Sequence, residues 1–310
     1  MEIFLPIAHM DVNVVLIVFY GVVVGFLSGL VGVGGGFLIT PLLIFTGVPP
    51  IVAVATGSAQ IAGTSASGTY AHWRLGNVDF KMGLFLLAGS WVGGGLGVYV
   101  ARLLQKGGQF GNIVTFLYVV LLGFIGISML IESLSAVRRG QTSKQPATKD
   151  GGFGARLAAF AESLPGQTSF ALSGLRTSLL VPVMGGIAVG ILTSLMGVGG
   201  GFVMVPVMIY LLKMPTRVVV GTSLFQLLFT TAAVSVMQAG VNHAVDPFLA
   251  LILIFGSAFG TQWGTQLGTK LPAERLRLVL ALVVVAVALK MLYGLLVAPP
   301  EVYTMARVVT

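Results

Sequence analysis

Two stretches of this chain carry residues suited to recognising an anion. Gly32-Val33-Gly34-Gly35-Gly36-Phe37-Leu38-Ile39-Thr40-Pro41 returns as Gly197-Val198-Gly199-Gly200-Gly201-Phe202-Val203-Met204-Val205-Pro206. Each glycine run follows one apolar run and opens another, so it interrupts a helix. Consecutive glycines cost about 0.5–1 kcal/mol each in helix propensity. They also release backbone N–H groups at the start of the next helix, where the partial charge is positive. Such donors suit an oxyanion, which makes Gly34, Gly35, Gly36, Gly199, Gly200 and Gly201 the first candidate contacts. The competing reading is close helix packing, which places small residues four apart. Gly89, Gly93 and Gly97, with Gly256, Gly260 and Gly264, have that spacing and are assigned to packing.

A second group lies one short helix beyond each break. Ser58, Gln60, Thr222, Ser223 and Gln226 fall inside apolar runs, where hydroxyls and amides can orient a weakly basic anion without a buried cation. Their alternative is hydrogen bonding between helices, worth about 0.6 kcal/mol per contact. His72, Arg74, Gln262 and Lys290 form a looser set that could attract an anion or act as a gate. Lys290 is a lone cation deep in an apolar run, with snorkelling to the interface as its ordinary role.

Composition narrows the class. Of 310 residues, 56% are hydrophobic and 8% charged, against roughly 25% charged in an average soluble domain. Mean hydropathy is +1.01. Apolar runs of about 20 residues recur along the chain, each long enough to cross a bilayer. The expectation is an all-α polytopic membrane protein whose immediate partner is lipid. The net charge of +8 sits in loops, so it reports topology and not nucleic-acid binding. There is no cysteine, and His9, His72 and His243 are scattered, so neither a metal site nor a cofactor is expected. Serines without an adjacent base give no catalytic set, which points away from an enzyme. Near the spans the only acid is Glu132, so a proton relay is not evident, and coupling to a proton or another ion stays open. A helical scaffold working through the basic linker is the reading from a third class.

The chain divides into a first repeat over 12–134, a basic linker over 135–177 and a second repeat over 178–297. Each repeat is expected to hold four full transmembrane helices and one short, glycine-broken re-entrant segment. About ten helical residues cover only ~15 Å, half a bilayer. The N-terminus, with Glu2 and Asp11 and no basic start, reads as mature sequence. Pro50 matches Pro215, Ser58 matches Ser223, and Asp79 matches Asp246. In the linker, Phe153–Leu164 has the spacing of a short surface helix. If each broken element turns back at its glycines, most of the 17 Lys and Arg residues fall on one side, with Arg102, Lys106 and Arg307 opposite. The positive-inside rule then puts the linker in the cytoplasm and both termini in the periplasm. The halves become an inverted repeat, the architecture of an alternating-access transporter with its site near midplane.

The glycine–phenylalanine–proline signature, the Thr-Ser or Gly-Ser with Gln that follows, the loop His72-Trp73-Arg74-Leu75-Gly76-Asn77-Val78-Asp79, and the Gly-Ser-x-x-Gly-x-x-x-Gly span together resemble the sulfite exporter TauE/SafE family. The resemblance covers both halves and omits the linker. It implies movement of a small sulfur-containing anion, such as sulfite, sulfoacetate or another organosulfonate, across the bacterial inner membrane. An anion-selective channel, or transport of a different carboxylate or oxyanion, is the alternative, and the oligomeric state, a homodimer among the options, is left open. Two departures stand out: Thr56-Gly57-Ser58 faces Gly221-Thr222-Ser223, and His72-Trp73 faces Met237-Gln238, which makes the halves of the site chemically unequal.

Overall fold

The computed structural model describes residues 2–31, 36–139, 167–170, 172, 175–206, 208, 214–268 and 273–297. Gly34, Gly35, the segment Phe153–Leu164, Lys213 and Lys270 lie outside them. A short antiparallel hairpin, β1 (Glu2–Leu5) with β2 (Met10–Asn13), leads into α1 (Val14–Val31). Beyond the first glycine run come α2 (Gly36–Phe45), α3 (Pro50–Arg74), α4 (Phe80–Lys106) and α5 (Phe110–Arg139). The second half repeats the order. β3 (Gln167–Phe170) pairs with β4 (Leu175–Ser178), followed by α6 (Leu180–Met196), α7 (Gly201–Pro206), α8 (Thr216–Asn242), α9 (Pro247–Gly268) and α10 (Ala273–Leu296).

Five helices among the described residues are long and apolar enough to cross a membrane: α4, α5, α8, α9 and α10. The apolar helices α1 and α6 are shorter, with 18 and 17 residues. At 25 residues α3 is long, but its Gly, Ser, Thr and Ala content makes it only weakly apolar. Around these helices the large exposed side chains are Phe, Leu, Val, Ile, Met, Trp and Tyr, as a lipid-facing surface requires. The chain is an all-α polytopic membrane protein.

Each half contributes one helix to each of the tightest contacts. The α4–α6 seam is a small-residue zipper. A Cβ at Gly89 would stand 2.1 Å from the Val183 carbonyl oxygen, and one at Gly93 2.1 Å from that of Ile187. From the other side, Gly186 and Gly190 approach the Leu86 and Ser90 carbonyls at 2.2 and 2.3 Å by the same measure. The α1–α9 seam is built alike, with Gly25 against Ser257 at 2.3 Å and Gly260 against Val22 at 2.1 Å. Lipid tails are as apolar as leucine, so helices associate here through close backbone approach.

Two buried carboxylates join the halves end to end. Asp79 accepts the Met82 N–H at 3.0 Å and so caps α4, while its own N–H donates to Thr222 Oγ1 of α8 at 3.0 Å. Asp246 caps α9 through the Phe248 and Leu249 N–H groups, both at 3.1 Å, and its N–H donates to Thr56 Oγ1 of α3 at 3.1 Å. Thr56 and Thr222 thus do equivalent work. The inequality expected from facing Thr56 with Gly221 dissolves, because the bonding registers α3 and α8 one residue away from the alignment on serines.

The hairpins sit at these joints. Ile7, in the β1–β2 turn, donates its N–H to Asp246 Oδ2 at 3.1 Å. Lys81, at the start of α4, donates to the Ser169 carbonyl at 3.1 Å and lies 5.5 Å from the Phe170 ring centroid. Leu5 is buried in a cluster with Leu43, Val48 and Ile51, and its counterpart Phe170 in one with Met82, Met204 and Val218.

The zippers make a sharp prediction. Gly93→Val should destabilise the protein by about 1–3 kcal/mol through overpacking, read as a lower melting temperature in detergent. Gly95→Ala, whose Cβ would meet nothing within 4 Å, should be neutral or slightly stabilising.

Candidate functional site

The second break can be followed atom by atom. α6 ends at Met196, and Gly197 caps it in the left-handed region at φ 68°, its N–H donating to the Thr193 carbonyl at 2.7 Å. Gly199 and Gly200 are also left-handed, at φ 75° and 70°, a run that only glycine adopts without strain. A helix ending at membrane depth leaves carbonyls that need donors. Gln238 Nε2 of α8 donates to the Ser194 carbonyl at 3.0 Å, and the Tyr118 hydroxyl of α5 donates to that of Met196. Tyr118 is buried and is a lone phenol within an otherwise apolar stretch of α5. Neither residue figured among the sequence candidates. For Tyr118 the available signal was a lone phenol within an apolar stretch; Gln238, among the polar residues that end α8, carried none.

The two breaks meet. A Cβ at Gly36 would lie 2.0 Å from Ile61 Cδ1 and 3.3 Å from the Val198 carbonyl oxygen. One at Gly199 would lie 3.0 Å from Ile61 Cγ2 and 3.0 Å from Leu227 Cδ2. Ile61 of α3 therefore fills the space that the glycines of both halves leave, with Leu227 of α8 beside it. On the other flank, Cβ atoms at Gly57 and Gly197 would stand 2.9 and 3.1 Å from Thr40 Oγ1. Gly200 packs on Val189, where a Cβ would meet Cγ1 at 2.0 Å, and Gly201 opens α7.

The neutral polar candidates divide into those already bonded and those left open. Ser58 Oγ donates to the Val54 carbonyl and Ser223 Oγ to that of Val220, each at 3.0 Å within its own helix. The Thr222 hydroxyl is engaged by Asp79. Gln226 Nε2 donates to Ser90 Oγ at 2.8 Å and to Thr230 Oγ1 at 3.2 Å. The Thr40 hydroxyl lies against that of Tyr118, while Gln60 Oε1 and Gln226 Oε1 are buried without a partner. Such groups are costly in a dry interior and mark places where a ligand or water completes the bonding.

The charged candidates lie elsewhere. Arg74 is exposed, its Cζ 5.7 Å from the Tyr70 ring centroid. Gln262 is exposed on α9. Lys290 is exposed on α10, with Nζ 4.1 Å from the Phe45 ring centroid at the end of α2. His72 closes α3, half-buried, with Nδ1 unpartnered. Burial pushes its pKa below the usual histidine value. Among the described residues no group of His, Asp and Glu side chains could hold a metal ion.

Comparison with known proteins places this architecture. The family model for the sulfite exporter TauE/SafE matches residues 17–291. Among curated proteins, the probable membrane transporter protein YunE of Bacillus subtilis is 30% identical over 252 residues, 78% of this chain and 84% of its own length. The probable membrane transporter protein YjnA of the same organism is 26% identical over 284 residues, 91% of this chain and all of YjnA. A sulfite exporter TauE/SafE family protein 3 of Arabidopsis thaliana is 26% identical over 110 residues, 36% of this chain and 23% of its own. No solved structure matches the chain.

Two measurements test the site's construction. Tyr118→Phe strands the Met196 carbonyl and should cost about 1–3 kcal/mol of stability, read by thermal unfolding. For His72, the neutral form is favoured in the folded state. Its contribution is present above the unfolded pKa and is lost as pH falls through the lower folded one. The melting temperature should therefore drop between about pH 7 and pH 5, and His72→Gln should flatten that drop.

Proposed function

This chain belongs to the sulfite exporter TauE/SafE family, and we propose on that premise that it is a permease for a small sulfur-containing anion, an organosulfonate or sulfite, working by alternating access. That it is a multi-pass membrane transporter follows from the family. The substrate class, the mechanism and the site are our reading.

The observation that carries the reading is the meeting of Gly36 and Gly199 across Ile61. It brings two broken helices, one from each half, to a common point in the interior. There the start of α2 and the left-handed Gly199–Gly200 backbone supply donors. Gln60, Gln226 and Thr40 add neutral polar atoms nearby in the chain. Gly201 opens the next segment, and Gly34 and Gly35 are included from the sequence alone. Ser58, Ser223 and Thr222, whose hydroxyls are engaged in their own helices or by Asp79, would exchange those bonds to contact the anion, and His72, Arg74, Gln262 and Lys290 are outer steering or gating positions.

An inverted repeat fits the contacts of the helix ends. A Cβ at Gly47, just past α2, would lie 3.8 Å from Met10 Cε in β2, so α2 returns toward the end where α1 begins. Each half also donates one backbone N–H across to a threonine of the other, Asp79 to Thr222 and Asp246 to Thr56. With the basic linker in the cytoplasm and the termini in the periplasm, an inside-negative potential favours anion exit by about 2.3 kcal/mol per charge per 100 mV. Export then needs no obligatory coupling ion.

Purified protein in liposomes should show saturable flux of sulfoacetate or sulfite and counterflow when the opposite face is loaded, with acetate inert. Flux that neither saturates nor shows counterflow would make it a channel. Activity with acetate but no sulfur oxyanion would overturn the substrate class. Gly199→Ala, strained at φ 75°, should abolish sulfonate-induced thermal stabilisation while the protein stays folded.

A further inference from the structure

The glutamines flanking the crossing differ between the halves. In the second half Gln226 of α8 reaches α4, donating Nε2 to Ser90 Oγ at 2.8 Å and to Thr230 Oγ1, one turn along its own helix, at 3.2 Å. Ser90 Oγ spends its proton on the Leu86 carbonyl at 2.8 Å, so toward Gln226 it can only accept, which fixes the orientation of the amide. The first half holds the same three residue types at equivalent places: Gln60 on α3, Thr64 one turn along, and Ser257 on α9. There the set is unmade. No hydrogen bond joins the Gln60 amide to α9, and its Oε1, like Gln226 Oε1, is buried and unpartnered. Thr64 Oγ1 donates to the Gln60 and Ile61 carbonyls at 3.2 and 3.1 Å, and Ser257 Oγ to the Ile254 carbonyl at 3.1 Å. The ends of the same helices are joined alike in both halves, Asp79 to Thr222 at 3.0 Å and Asp246 to Thr56 at 3.1 Å.

We propose that these two sets are alternating clasps: Gln226–Ser90 closes the α4–α8 seam in the conformation seen here, and Gln60–Ser257 closes the α3–α9 seam in the opposite one. The inference rests on the alternating-access reading. The Thr–Asp joints, made in both halves, serve as pivots, and the mid-helix clasps are what differs between states. Exchanging one neutral buried hydrogen bond for an equivalent one keeps the two conformations close in free energy, as a carrier requires.

The chain contains no cysteine, so single reporter cysteines can be placed cleanly. Ser65→Cys on α3 and Thr231→Cys on α8 occupy equivalent buried positions, and their rates of maleimide labelling in proteoliposomes report access to each seam. Ser90→Ala should move the ratio of the two rates in one direction and Ser257→Ala in the other. Each shift should be about threefold, the size of one interhelical hydrogen bond. Gln60→Leu should shift it in the same sense as Ser257→Ala. Those two break nothing across a seam in this state, so they should keep the wild-type melting temperature and carry the test if Ser90→Ala folds poorly. No shift, or shifts of one sign in all three, overturns the clasps. Counterflow in the wild-type protein is measured alongside: its absence defeats the transport reading, whereas counterflow without opposite shifts defeats the clasps alone.

Discussion

A helix that stops inside hydrocarbon must find donors for its last carbonyls, because no water is present to supply them. In this protein that requirement determines which helices surround the break. The end of α6 is held by its own glycine cap, by Gln238 of α8 and by Tyr118 of α5. Three separate elements are thereby fixed around one broken end, and the left-handed glycines that follow present their backbone to the space filled by Ile61.

The close-packed seams distribute this constraint through the molecule. α1 lies on α9 and α4 on α6, each through glycines whose missing Cβ atoms let one backbone rest on the other. Neither pair is confined to one half of the chain. The packing units therefore cross the repeat boundary, and each carries one broken or unbroken partner from either side. A motion that keeps these seams intact must displace α1 with α9, or α4 with α6, relative to the α3–α8 centre. The hairpins are tied to the seams, since the β1–β2 turn is bonded to the cap of α9 and β3 to the first turn of α4.

The class of protein, the repeat, the short segments after the breaks and the packing glycines were legible in the sequence, because each is written in local composition or spacing. What escaped was set by partners distant in the chain. β1–β2 and β3–β4 are four-residue strands of mixed polarity with no long alternating run to betray them, and they had the look of a tail and a linker. Aligning the halves on Ser58 and Ser223 left Thr56 opposite a glycine, whereas the hydrogen bonds pair Thr56 with Thr222 as equals. Tyr118 and Gln238 act on carbonyls that exist only because α6 is broken in three dimensions. Ser58 and Ser223 show the converse: polar residues within apolar runs whose hydroxyls are satisfied inside their own helices.

The distribution of charge follows from the same reasoning. Among the described residues, Asp79 and Asp246 are the buried charged side chains, and both are placed at helix starts, where backbone N–H groups compensate them. The seams between are joined by hydroxyls, amides and carbonyls alone. A buried ion pair in such a seam would cost several kcal/mol to separate, enough to hold one conformation against the other. Neutral bonds of about 0.6 kcal/mol hold a seam far less firmly than that. Capped carboxylates at the helix starts and neutral polar groups in the seams keep unpaired charge out of the helix contacts.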